Sequence, residues 1–161
     1  VPEIGILMAP KYYSKSLVLI PIITASYYIQ FLYTLYVGFA FFYKKTASIS
    51  IGTLLAGIIN IILNILLIPI FGYEIAAITT LISYFFLLLF HALNVRINLK
   101  DKTLSARYIF SWAFLVIALS LIHYCVSKYF GMFSFGERIS RIMIFGLLGL
   151  ITSLKLYRKI M

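Results

Sequence analysis

Residues 56–72 run AGIINIILNILLIPIFG. Apart from Asn60, Asn64 and the closing Pro69-x-x-Gly72, every side chain in this stretch is aliphatic, aromatic or absent. The run is too long for a buried strand, and it is continuous with further apolar sequence on its N-terminal side. Crossing a hydrocarbon core about 30 Å thick takes about 20 helical residues. A helix is the form that satisfies every backbone amide within its own segment, and the period-two alternation of a barrel strand is missing. The stretch therefore reads as the second half of a membrane-spanning helix that ends in a tight turn.

The rest of the chain repeats the pattern. Of its 161 residues 63% are hydrophobic and 11% charged, against about 25% charged in a soluble domain. Five runs are long enough to span, at roughly 17–43, 48–70, 74–95, 108–127 and 139–157. The predicted fold is an all-α integral membrane bundle of five transmembrane helices, with 1–161 forming a single membrane region. Pro21 falls near the start of the first run, where its missing N–H is harmless. Pro69 and Gly72 are expected to stop the second helix, proline by forbidding continuation and glycine by allowing a left-handed backbone. Tyr12, Tyr13, Phe41, Phe42, Tyr43, Tyr129, Phe130 and Tyr157 near span ends fit an interfacial aromatic belt.

The net charge of +10 does not indicate nucleic acid. The lysines and arginines gather in the joints between apolar runs instead of forming one basic face with interleaved aromatics. Their distribution sets an orientation. One side collects Lys44, Lys45, Arg96, Lys100, Lys102, Arg107, Lys155, Arg158 and Lys159; the other has Lys11, Lys15, Lys128, Arg138 and Arg141. The positive-inside rule makes the richer side, with the C-terminus, cytoplasmic. The single Cys125 has no partner for an internal disulfide, and no metal-ligand spacing surrounds it. The chain opens on Val1 without a signal-peptide pattern, which leads to the expectation that it is part of a longer protein.

Polar residues inside the spans are the candidate functional groups. On the second run Ser50, Thr53, Gly57, Asn60 and Asn64 step by three and four, so they share one helical face. Such a stripe faces either a neighbouring helix, where asparagines contribute about 0.6–2 kcal/mol each, or a polar path. The first run carries Ser26, Tyr27, Gln30, Tyr33 and Thr34 on one arc, again as helix contact or as a wall whose tyrosines could stack on sugars. On the third run Glu74, Ala77, Thr80, Tyr84 and His91 align. Glu74, directly after the turn, reads as a first-turn acid favoured by the helix dipole, with an ion-responsive role as the alternative. His91 and His123 read as interfacial. Gly146 and Gly149 on the fifth run read as close-packing positions. The four acids, Glu3, Glu74, Asp101 and Glu137, form no arrangement with a histidine or nucleophile, and no phosphate-binding or hydrolase motif occurs. The sequence therefore points away from an enzyme, and nothing in it asks for a cofactor or metal.

Several of these features occur together in a pattern that resembles the C-terminal half of bacterial polysaccharide flippases, the O-antigen and capsule exporters of the multidrug/oligosaccharidyl-lipid/polysaccharide exporter superfamily. They are Lys45-Thr46, Asn60-x-x-x-Asn64, Leu67-Ile68-Pro69, Gly72, Ala76-Ala77, Thr80 and Ser83-Tyr84. Pro10-Lys11-Tyr12-Tyr13 looks like the loop that precedes this region. Glu74-Ile75 stands where such proteins often have Gly before Ala-Ala. The resemblance implies the last five spans of a twelve-or-more-span transporter of the bacterial inner membrane, acting by alternating access. Its implied partners are a lipid-linked oligosaccharide (an undecaprenyl diphosphate-sugar), membrane lipids and an N-terminal lobe that this chain lacks. The substrate-path candidates are then Tyr27, Gln30, Thr53, Asn60, Asn64, Thr80 and Tyr84. No lysine or arginine lies mid-span, so cations for the diphosphate are expected in the other lobe. A multidrug or cation exporter of the same superfamily, and a non-transporting polytopic scaffold, are the alternatives.

Overall fold

Pro21 sits in the first turn of α1 (Ile20–Phe42), as its ring requires. The computed structural model describes residues 16–130. A short 3₁₀ turn over 16–19 leads into α1. α2 follows at Ala47–Phe71, α3 at Ile75–Leu93, a π-helical turn at Asn94–Asn98, and α4 at Ala106–Phe130. All four helices are long and apolar enough to cross a membrane, and the protein is membrane-embedded. The fifth run, 139–157, with Gly146 and Gly149, lies outside the described residues, as does the 4–15 stretch. Leu19–Ser120 forms one compact unit. The packing of α1, α2, α3 and the first half of α4 lies within it.

α3 is the hub. α1 and α2 both pack along it and scarcely touch each other. The sequence explains this. α3 is buried over most of its circumference, at Ala77, Thr79, Leu81, Ser83, Leu87, Leu88, His91 and Ala92. α1 buries one side, Ile22, Ala25, Ser26, Ile29, Leu32, Tyr36 and Ala40, which recur at three and four. α2 buries only Gly52 and Ala56, and most of its Ile and Leu side chains are exposed on the outside, as a lipid-facing or partner-facing helix requires. α4 meets α3 through rings: Phe85 lies 6.0 Å from Phe110 and 5.5 Å from Phe114.

The turns differ from the sequence reading in one respect. Pro69 does not follow the last turn of α2 but lies inside it, two residues before the end. Near a C-terminus the loss of one N–H leaves little helix to disrupt, so the chain runs on. The stop is Gly72, at φ 79° and ψ −179°, a backbone region open essentially to glycine alone. Its N–H caps Ile68 O at 2.9 Å, and Ile75 N, Ala76 N and Ala77 N then bond the carbonyls of Gly72, Tyr73 and Glu74 to start α3.

The other end of the bundle is closed by lysines. Lys44 has φ 54°. Its N–H bonds Phe41 O at 3.0 Å and the Lys45 N–H bonds Ala40 O at 2.8 Å, the paired bonds of a Schellman cap, with lysine where glycine is usual. After the π-turn, Lys100 repeats the conformation at φ 55°. Tyr43 Oη donates to Asp101 Oδ2 at 2.8 Å and so joins the α1–α2 joint to the α3–α4 joint. The two joints lie together at one end, as the charge distribution anticipated.

Candidate functional site

The polar groups of α2 and α3 meet along one seam. Asn64 Nδ2 donates to Asn60 Oδ1 at 3.1 Å. Thr79 Oγ1, fully buried on α3, lies 2.6 Å from Asn64 Oδ1 and 3.0 Å from Ala76 O, so its one proton is shared between two acceptors. At the far end Asn94 Nδ2 donates to Ser48 Oγ at 3.1 Å and Asn98 Nδ2 to Asn94 Oδ1 at 2.9 Å; Ser48 Oγ in turn donates to Lys45 O at 3.0 Å. Between these two links lie Gly52 and Ala56. The face of α2 that meets α3 is therefore Ser48, Gly52, Ala56, Asn60 and Asn64, a strict spacing of four.

This corrects the stripe expected from sequence. Asn60 and Asn64 belong to it, but Ser50, Thr53 and Gly57 do not. All three are exposed; Thr53 donates to its own helix at Ile49 O (2.9 Å), and the space beside Gly57 is open. Steps of three and four keep residues on a straight line along the helix, whereas steps of four drift around it. A partner that crosses at an angle follows the drift, and small residues at that spacing let two membrane helices approach closely.

The arc on α1 also divides. Ser26 is buried and donates to Ile22 O at 2.9 Å. Gln30 and Tyr33 are half-buried, Tyr33 against His91 of α3, while Tyr27 and Thr34 are exposed, the latter bonded to Phe31 O at 2.6 Å. Thr80 and Tyr84 of α3 are half-buried; Thr80 donates to Ala76 O at 2.8 Å. By helical register they fall between the residues that face α2 (Thr79, Asn94) and the buried line Ala77, Leu81, Leu88 and Ala92 that faces α1. Glu74 is half-buried and occupies the N-cap position of α3, without a side-chain cap bond. The described residues gather no cluster of three or more His, Cys, Asp or Glu side chains.

His91 is not interfacial, as its place near the end of the run suggested. It is 0% exposed. Its ring stacks on Tyr33 of α1 at 5.6 Å and 21°, and Phe90 stands edge-on to it at 5.4 Å. From α2, Gly52 comes so close that a methyl on its Cα would lie 2.7 Å from the Phe90 ring and 3.0 Å from His91 Nε2. Among the described residues neither imidazole nitrogen has a hydrogen-bond partner, and nor does the buried Tyr36 hydroxyl on α1. Gly52, Thr79, Asn94 and this role of His91 are the residues the sequence reading missed; the repeat of small residues every four from Ser48 was the available signal for the first.

No protein-family model matches this chain, and no curated protein and no solved structure matches it.

Proposed function

We propose that this chain is the C-terminal part of a transporter that moves a lipid-linked oligosaccharide across a bacterial inner membrane by alternating access. The observation that carries the reading is the flank of α1 that helix packing does not consume. Tyr27 and Thr34 stand exposed on a membrane-spanning helix, and Gln30 and Tyr33 lie half-buried beside them. Polar groups exposed to acyl chains are costly, so such a flank is suited to a wet path or a second lobe. Tyr27 supplies a ring on which a sugar can stack, and Gln30 an amide that both donates and accepts. Thr80 and Tyr84, half-buried on α3, are the further candidates for the path.

Asn60 and Asn64 take a different part. Bonded to each other and to Thr79, they act first as the joint between α2 and α3. Thr53, exposed on the outer side of α2, belongs to neither surface. The resemblance in the Asn-x-x-x-Asn, Pro-x-x-Gly and Ser-Tyr positions supports the substrate class, and transport requires no catalytic group of this chain.

The test is complementation. The parent protein is expressed in a strain lacking its own polysaccharide flippase, and surface polysaccharide is measured. Restoration that falls about tenfold or more in Gln30→Leu and Tyr27→Leu variants present at normal membrane levels is the expected result, as for loss of contacts worth about 1.4 kcal/mol. No restoration by the wild-type protein, or full restoration by both variants, contradicts the proposal.

A further inference from the structure

Buried polar groups in proteins are nearly always paired, and an exception calls for a physical reason. His91 is such an exception, at a level of the fold where three helices converge. Tyr33 covers one face of its ring, Phe90 meets its edge, and the bare Cα of Gly52 closes over Nε2. We propose that His91 is a proton-binding site whose occupancy separates α2 from α3.

The packed arrangement has room for the neutral imidazole only. An imidazolium has two N–H donors and a net charge, and the cage offers neither an acceptor nor a counter-charge. Of ionisable groups, Tyr33 of α1 lies against the ring; α2 brings Gly52 there, with no ionisable group. Arg96 bears on the Tyr36 hydroxyl, and no charged group among the described residues bears on the imidazole. A proton on His91 is therefore tolerated where water reaches the ring. By linkage, the arrangement that hydrates the ring is the one the proton favours.

α2 is the element that can yield. It buries only two small residues, whereas α1 holds α3 through a full apolar side. The hydrogen bonds that retain α2 sit at Asn64–Thr79 and at Ser48–Asn94, one on either side of the Gly52 contact. A second, independent feature lies directly after His91. The π-turn Asn94–Asn98 widens the helix there, with Leu99 N bonded to Asn94 O at 3.2 Å. Such turns recur where helices change register at functional sites.

The inference does not rest on the transport reading, because the spacing of two helices can be followed whatever the parent carries. Spin labels are placed at the exposed positions Leu35 on α1 and Leu54 on α2 of the full chain, in a Cys125→Ser background. The protein is held in nanodiscs of phosphatidylcholine, whose headgroup does not titrate, and the interlabel distance is measured by pulsed electron resonance at about pH 8 and about pH 5. The expected result is a distance longer by about 2 Å at the lower pH, the scale of helix shifts in switching proteins. His91→Phe, which keeps a ring against Tyr33, is expected to abolish the change, and His123→Gln to preserve it. A distance independent of pH in the wild type, or a change that survives His91→Phe, overturns the proposal.

Discussion

Thr79 shows what a single side chain does in this protein. Its hydroxyl is buried between α2 and α3 and is the only described group on α3 that bonds the Asn60–Asn64 pair. Thr79→Val keeps the shape and removes the donor, leaving Asn64 Oδ1 without it. The expected loss is about 0.6–1.7 kcal/mol, the range from the average to the largest value for interhelical bonds in membranes, read as a lower unfolding midpoint in detergent. Thr80→Val, which removes only a bond to its own helix, is expected to change the midpoint little. Lys44 offers the opposite case. An L side chain at φ 54° is strained, and Lys44→Gly is expected to stabilise the fold by about 0.5–1 kcal/mol. The amide pair was legible in the sequence because Asn is conspicuous in hydrocarbon. Which of two adjacent threonines answers it was not. Neighbours on a helix point about 100° apart, and only the position of α2 selects between them.

At the scale of elements, the four described spans and the joints between them could be read directly. Their ends shifted by only a few residues, because apolar length and Pro/Gly chemistry set them. The face of α2 could not, since a spacing of three and four and a spacing of four fit the same string of letters. The choice depends on how α2 crosses α3. Gly52 decides it physically: its missing Cβ is what lets the helices meet at Phe90 and His91. Gly52→Ala is expected to destabilise the bundle by about 1–3 kcal/mol through overpacking, whereas Gly57→Ala, facing open space, should be neutral or slightly stabilising. The turn gives a matching contrast. Gly72→Ala forces an L residue into a region it avoids and should cost about 1–3 kcal/mol. Both comparisons use unfolding midpoints of the same preparation.

For the molecule as a whole, the contact between the two basic joints sets a pH dependence. Thr103, through side chain and backbone, and then Tyr43 hydrogen-bond the Asp101 carboxylate and hold it below its ordinary 3.8. The hydrogen bond to Asp101, with a smaller effect of burial, pushes the Tyr43 phenol above its ordinary 10.0. The signs follow. A depressed carboxyl contributes above its unfolded value and loses that contribution as pH falls through the folded one. A raised phenol contributes below its unfolded value and loses that as pH rises through the folded one. The latch is therefore intact between about pH 4 and about pH 10 and fails on both sides. Tyr43→Phe should lower the unfolding midpoint within that window and match the wild type outside it, a small effect because both groups are exposed. The sequence showed that these joints share a side of the membrane but not that they touch, since a tyrosine at a span end is explained equally well by the interface.

The hub arrangement also governs how the chain can be made. α2 and α3 are joined by three residues and can pair as soon as both have been synthesised. α1 has no such neighbour: its packing surface belongs to α3, about fifty residues further along. At a synthesis rate of about 5–20 residues per second, α1 waits some 3–10 s in the bilayer with Ser26 and Tyr33 uncovered. Of α1, α2 and α3, the helix made first thus finds its seat only when the one made last arrives, and a chaperone or insertase that shields it during that interval would act on these side chains.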